Sequence, residues 1–172
     1  MSHFVWFVMG AAHPLTGLDH VFAMIAVGIW GATAGGRALW VWPAAFITAM
    51  VTGFVLGVSG IGLPVVEPFI AASIVVIGLC IAFAARAPVW FGALLTGSFA
   101  VFHGHAHGTE AVGIVSDLAP YIAGFGVATA ALHGTGIWLG LLLNGRAWET
   151  TGTRIVGGLV TLAGITQLGL LA

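Results

Sequence analysis

The sequence predicts an all-α integral membrane protein, a single domain over residues 1–172 built as a bundle of about six transmembrane helices. Only 5% of its residues are charged and 60% are hydrophobic, whereas about 25% of the residues in a typical soluble domain are charged. A soluble domain of this length needs a polar, water-facing surface, which four arginines and five acidic residues do not supply. We therefore expect most of the exterior to face lipid.

Apolar runs of membrane-spanning length are separated by proline, glycine or charged residues. They predict spans at about 14–34, 38–58, 65–85, 89–108, 118–143 and 153–171. The apolar stretch from Phe4 to Ala12 is too short to cross a bilayer alone, and Pro14 either starts the first span or kinks a longer helix. No positively charged segment precedes this stretch, so it does not have the pattern of an intact signal peptide.

Charge and tryptophan distribution predict the orientation. The arginines all fall on the same side of the predicted bundle, after spans one, three and five: Arg37, Arg86, Arg146 and Arg154. The opposite connections contain Glu67, Glu110 and Asp117 and no basic residue. By the positive-inside rule the arginine side is cytoplasmic, and both termini lie on the outer, periplasmic side. Five tryptophans cluster on the arginine side, as an interfacial aromatic belt would: Trp30, Trp40, Trp42, Trp90 and Trp148.

Small and weakly polar residues are expected to serve packing. The spacing of Gly53, Gly57 and Gly60 favours close approach of helices in lipid. Cys80 lies in an apolar run and is expected to pack in the core, and a single cysteine excludes an internal disulfide. Mid-span threonines are expected to bond carbonyls of their own helices: Thr48, Thr52, Thr96, Thr129 and Thr135.

The absence of lysine from the sequence excludes a Walker A nucleotide-binding motif. A net charge of −1 provides no basic patch, so nucleic acid is excluded as a partner.

Two clusters of ionisable residues lie within the predicted spans, where such groups are costly and usually functional. The first is HPLTGLDH, His13–His20, at the start of span one, and the second is FHGHAHGTE, Phe102–Glu110, at the end of span four. Span one runs inward and span four runs outward. Both clusters are therefore predicted at the same depth in the outer half of the bundle.

In the first cluster, His13 and His20 are two helical turns apart and share a face if the helix continues through Pro14. Asp19 either coordinates a metal beside His20 or orients the His20 ring through a nitrogen atom.

In the second cluster, His103, His107 and Glu110 form one stripe of a helix, whereas His105 points to the opposite face. Imidazole and carboxylate ligands without thiolates suit Ni²⁺, Co²⁺, Zn²⁺ or Cu²⁺ rather than Cu⁺ or Ca²⁺. The predicted metal ligands of the two clusters are His13, Asp19, His20, His103, His107 and Glu110.

Three further residues are secondary candidates. Glu67 opens span three on the outer side, either as a charge at a helix N-terminus or as a ligand near the entrance. His133, midway along span five, is either a deeper ligand or, as we favour, a hydrogen-bonding residue between helices. His105 is as readily a packing residue as a ligand because of its direction on the helix.

HPLTGLDH and FHGHAHGTE resemble the signatures of the HupE/UreJ family of nickel/cobalt permeases, and the similarity extends over essentially the whole chain. Residue by residue, His13, Asp19 and His20 match the first signature, and His107 and Glu110 match the second. The resemblance implies metal uptake across the bacterial inner membrane in the service of nickel enzymes. Members usually carry a cleavable signal peptide, and this sequence has no recognisable one.

We therefore expect a permease rather than an enzyme, with Ni²⁺, or else Co²⁺ or Zn²⁺, as the transported ion and no prosthetic group. Its expected partners are the divalent ion and the lipid bilayer, while a homo-oligomer and association with nickel-enzyme maturation machinery stay open. The alternative is a haem-binding electron-transfer subunit with histidine axial ligands on facing helices. An intramembrane hydrolase is disfavoured because the sequence contains neither HExxH nor GxSxG.

Overall fold

The computed structural model describes residues 2–143 and 149–171. Within these parts the chain forms seven α-helices and no strand, so the all-α prediction is confirmed. The helices are α1 His3–Ala12, α2 Leu18–Ala34, α3 Ala38–Val58, α4 Val66–Ala82, α5 Val89–Ala111, α6 Leu118–Leu143 and α7 Glu149–Leu170. A 3₁₀ turn, His13–Leu15, lies between α1 and α2.

Three segments of the described chain are long and apolar enough to cross a bilayer: Ala38–Val58, Leu118–Leu143 and Thr151–Leu170. A fourth candidate combines α1, the 3₁₀ turn and α2, which are bent by 82° at the break. Of the other helices, α4 has 17 residues, and α5 has 23 but contains the histidine-rich segment. Length and composition therefore support three to four candidate spans.

The first predicted span, 14–34, begins too early. Pro14 lies in the 3₁₀ turn, and Gly17 is extended, with φ −103° and ψ 114°, immediately before α2 starts. Of the two alternatives for Pro14, the kink in a longer helical segment is therefore the one observed.

The other predicted segments differ from the helices mainly at their ends. Segments 38–58 and 118–143 coincide with α3 and α6, whereas α5 continues to Ala111 and so keeps Glu110 helical. Since α7 begins at Glu149, Arg154 lies within this helix, and its assignment to a connection is wrong. Arg146 and Trp148 lie outside the described residues.

Glycines bring α3 and α5 into backbone contact. Gly53 and Gly57 of α3 lie against the backbone of α5, and Gly104 and Gly108 of α5 lie against α3. A Cβ atom added at any of the four would overlap backbone atoms of the partner helix. The predicted close packing is therefore confirmed at Gly53 and Gly57, whereas Gly60 has φ +75°, faces open space and turns the chain.

Contacts between glycines and the backbone of a neighbouring helix also give the relative directions of the helices. α3 runs parallel to α5, α2 runs parallel to α6, and α4 runs antiparallel to α7. The end of α2 contacts the start of α3 through Trp30 and Trp42, and it contacts the connection after α4 through Trp30 and the Ala85 carbonyl. His103 of α5 contacts His20 near the start of α2 and Ser73 of α4. Together, these contacts show that consecutive helices from α2 to α7 alternate in direction. The start of α2, the end of α5 and the start of α6 meet at one end of the bundle, which we call the motif end because it contains His13, His20 and His107.

Two tryptophans in ring contact, Trp30 and Trp42, define the opposite, tryptophan end. Both are buried, and their ring centroids lie 4.1 Å apart. Trp30 Nε1 donates to the Ala85 carbonyl at 3.0 Å, and Trp42 Nε1 donates to the Val89 carbonyl at 2.8 Å. The prediction of an interfacial belt is therefore wrong for these two residues. The exposed members are Trp40 and Trp90.

The weakly polar side chains behave as predicted. Each mid-span threonine donates from Oγ1 to the carbonyl four residues earlier in its own helix: Thr48, Thr52, Thr96, Thr129 and Thr135. Cys80 is half-buried and packs against the hydrophobic core.

Candidate metal site

The two histidine motifs meet at the motif end of the bundle. The His107 ring lies 4.5 Å from the His13 ring and 4.0 Å from the His20 ring, measured between centroids. The His20 ring lies 4.7 Å from that of His103. The two motifs therefore contact each other through four imidazole rings.

The break before α2 determines how the first motif reaches this position. In a continuous helix, His13 and His20 would be separated by about 11 Å along the axis. Because the chain bends by 82°, His13 approaches His107 from the 3₁₀ turn while His20 approaches it from the first turn of α2. The bend therefore lets both histidines contact the same imidazole.

His13, His107 and Glu110 form a three-donor cluster whose ligand atoms lie within 4.8 Å of one another. His13 Nε2 donates to Glu110 Oε2 at 2.9 Å, and His107 Nδ1 lies 3.6 Å from the same oxygen. Since metal–nitrogen bonds are about 2.1 Å long, small rotations would bring all three donors onto one ion. Side-chain exposure falls from 60% at Glu110 to 27% at His13 and 5% at His107, so the cluster leads from the surface into the bundle.

Asp19 holds His20 in one orientation. Asp19 Oδ1 accepts hydrogen bonds from His20 Nδ1 and from the His20 backbone N–H, both at 2.9 Å. His20 Nε2 is buried and has no hydrogen-bond partner among the described residues. A carboxylate that accepts from one ring nitrogen leaves the lone pair of the other for a metal. Of the two roles predicted for Asp19, this geometry supports orientation of His20.

Ser73 of α4 orients the His103 ring, as Asp19 orients that of His20. Its hydroxyl donates to the Ile70 carbonyl at 2.6 Å and therefore accepts from His103 Nε2 at 2.9 Å. The lone pair then lies on His103 Nδ1, which is buried without a partner among the described residues. Sequence reasoning missed Ser73, although it is the only hydroxyl side chain in α4 and lies within an apolar stretch of that helix.

The bundle therefore concentrates unpartnered ring nitrogens. Each buried nitrogen that lacks a hydrogen bond costs about 1–3 kcal/mol. Within the described chain, such nitrogens belong to His20, His103, His105, His107 and His133. A cation bound by the lone pairs of His20, His103 and His107 would offset this cost at the motif end.

The three secondary candidates have different surroundings. Glu67, in the first turn of α4, lines a cavity of about 260 Å³ together with residues of both motifs. His105 turns away and donates from Nε2 to the Ile61 carbonyl at 2.8 Å. His133 is 1% exposed, and neither of its ring nitrogens has a partner in the described parts of the chain. The hydrogen bond between helices that we favoured for His133 is therefore absent there.

An all-helical, apolar chain with three to four candidate spans and a polar cluster at one end of its bundle is a multi-pass membrane protein. The family described as HupE / UreJ protein matches residues 1–167. Protein HupE of Rhizobium leguminosarum bv. viciae is 45% identical over 159 residues, which cover 92% of this chain and 82% of that relative. The chain therefore belongs to the HupE/UreJ family, a transporter family whose members generally carry nickel or cobalt. No solved structure matches it.

Proposed function

We propose that the protein is a permease that takes up a divalent transition-metal ion, nickel or cobalt, across the bacterial inner membrane. The observation that carries this proposal is the three-donor cluster, whose ligand atoms lie within 4.8 Å of one another at the motif end. Membership of the HupE/UreJ family supports nickel or cobalt as the ion. The proposed ligands and positioning residues are His13, Asp19, His20, His103, His107 and Glu110.

The exposure of the donors suggests an order of events. Glu110 is 60% exposed and would meet the hydrated ion first, and its charge would favour exchange of water for protein ligands. His13 and His107 would then replace part of the hydration shell, since neutral imidazole suits Ni²⁺ and Co²⁺. His20 presents a free lone pair one ring contact beyond His107, and His103 presents one a further ring contact away. Capture of the metal inside the cell would drive net uptake.

We further propose six spans, α2 to α7, with both termini in the periplasm. The alternating directions of these helices support this topology. The shortest, α2 and α4, have 17 residues each and are therefore about 26 Å long, close to the hydrocarbon thickness of about 30 Å. Arg37 and Arg86 lie in connections at the tryptophan end, which supports a cytoplasmic location for that end.

Flux measurements in proteoliposomes test the function. Purified protein should admit Ni²⁺ or Co²⁺ faster than Zn²⁺ or Mn²⁺, and His107→Ala should abolish the entry. Protein-free vesicles provide the background. Absence of flux with all four ions would contradict the proposal, and a Soret band in the purified protein would support the haem-binding alternative.

Cysteine labelling tests the topology. In a Cys80→Ala background, Ile114→Cys at the motif end should react with an impermeant thiol reagent added to intact cells. Pro88→Cys, in the connection at the tryptophan end, should react only after the membrane is permeabilised. Both positions are exposed, so accessibility within the protein does not separate them. The reverse labelling pattern would overturn the orientation.

A further inference from the structure

His133 of α6 is a buried titratable residue that the proposed function does not use. It lies 15 residues after the start of α6 and is 1% exposed. Both ring nitrogens are buried without a hydrogen-bond partner in the described residues. A purely structural histidine normally satisfies at least one ring nitrogen, because unpartnered buried polar groups are unfavourable.

The His133 ring extends the line of rings that begins at the motif end. His20 contacts His103 with centroids 4.7 Å apart, and His103 contacts the Phe46 ring at 5.6 Å. Phe46 in turn contacts His133 at 5.0 Å in an edge-to-face arrangement. Since His103, Phe46 and His133 are all fully buried, this line leads from the three-donor cluster into the interior of the bundle.

Two neutral polar side chains, Thr129 and Met50, lie one helical turn from His133 and Phe46. Thr129 lies one helical turn before His133, and its hydroxyl is 3.7 Å from the Met50 sulfur. Met50 lies one turn after Phe46 on α3, so these side chains come from facing stripes of α3 and α6. Imidazole with thioether and hydroxyl groups suits a borderline transition-metal ion and does not suit Mg²⁺ or Ca²⁺.

We propose that His133 is a second, deeper position for the transported ion, reached from the motif end past His103 and Phe46. This inference rests on the proposed permease function. A site whose donors are all neutral holds a divalent cation more weakly than one that includes Glu110. The ion would therefore bind tightly where it enters and weakly where it must be released, as conduction through successive sites requires.

The experiment compares His133→Leu and His133→Cys with a matched control, His105→Leu. Equilibrium binding of Ni²⁺ to purified protein reports the three-donor cluster, and Ni²⁺ flux into proteoliposomes reports the whole path. We expect His133→Leu to keep high-affinity Ni²⁺ binding and thermal stability but to lose at least about tenfold in flux. His133→Cys retains a metal ligand and should recover part of the flux.

The control separates the loss of any buried histidine from the loss of this one. His105→Leu removes a hydrogen bond to the Ile61 carbonyl, so it should lower thermal stability while leaving flux per folded molecule nearly unchanged.

Two outcomes would overturn the inference. The first is wild-type flux in His133→Leu, which leaves the proposed function intact. The second is equal flux loss in His133→Leu and His133→Cys, because a packing role does not distinguish a metal ligand from an alkyl group. Failure of the proposed function itself would differ, since the wild-type protein would then neither bind nor admit Ni²⁺.

Discussion

The two histidine motifs reach the same place through opposite local structures. HPLTGLDH is broken, because Pro14 lies in a 3₁₀ turn and Gly17 is extended before α2 begins. FHGHAHGTE is unbroken and stays within α5 to its last turn. The first motif therefore supplies histidines from two directions, and the second supplies them from one helical stripe.

The difference separates two ways of placing a metal ligand in a membrane. A continuous helix fixes the direction of each side chain by its sequence spacing, so His107 and His105 necessarily point to different faces. A broken helix frees its side chains from that constraint but needs another device to orient them. In the first motif this device is the carboxylate of Asp19, which accepts two hydrogen bonds from His20.

The largest expected effect lies in the continuous motif. His107→Ala or Glu110→Gln should reduce metal uptake by more than about 100-fold at normal expression, because each removes a donor of the three-donor cluster. His105→Ala should keep most of the uptake, since its ring bonds the Ile61 carbonyl. Uptake of radioactive nickel by cells checks all three variants. Equal, mild losses of uptake in all three variants would mean that the motif packs helices. Loss of uptake in His105→Ala together with normal uptake in His107→Ala would contradict the helical stripe.

An intermediate effect is expected from the broken motif. Asp19→Asn keeps the shape of the side chain but weakens the hold on the His20 ring, so uptake should fall about 10–100-fold. Nickel titration of the purified variant should show weaker binding with unchanged stoichiometry. If Asp19→Asn abolishes binding as Glu110→Gln does, Asp19 is a direct ligand and the two motifs are more alike than their structures indicate.

Acidic pH should weaken metal uptake, because protons compete with the metal for imidazole nitrogens. A histidine must be neutral to bind a metal, and the ordinary histidine pKa is about 6.5. Uptake at subsaturating nickel should therefore be highest above about pH 6.5 and should fall at lower pH. For each imidazole that must lose its proton before binding, the decrease can reach about tenfold per pH unit. Initial rates in proteoliposomes between about pH 5 and 8 measure this dependence. A flat profile would argue against rate-determining histidine ligands.

The smallest expected effect tests the break itself. A Cβ atom at Gly17 would lie 2.7 Å from Asp19 Oδ1 and 3.0 Å from His20 Nδ1, so Gly17→Ala should disturb their hydrogen bond and weaken uptake by about fivefold. Gly134→Ala in α6 is the matched control, because its added methyl group meets open space. In that helix alanine is favoured by about 1 kcal/mol, so the control should raise the melting temperature with unchanged uptake. Equal uptake in both variants would contradict the role of Gly17.

Most of the fold and the meeting of the motifs could be predicted because both follow from local pattern. Span lengths and alternating direction bring the start of α2 and the end of α5 to one end, and helical periodicity turns His105 away. The break at Gly17 was not predictable, since Pro14 is compatible with both a helix start and a kink. The surroundings of Trp30 and His133 depend on helices distant in sequence, so hydropathy alone does not distinguish a buried ring from an interfacial one.

The contact between Trp30 and Trp42 makes the protein an optical reporter of its own conformation. Indole rings with centroids 4.1 Å apart couple electronically, so the pair contributes a circular dichroism signal that requires both rings. Trp30→Phe or Trp42→Phe alone should remove that signal. Each indole N–H is bonded to a carbonyl at or beside the connection between α4 and α5. Any rearrangement that opens the tryptophan end must therefore change the near-ultraviolet circular dichroism spectrum. Conformational changes at this end can then be followed in unlabelled protein.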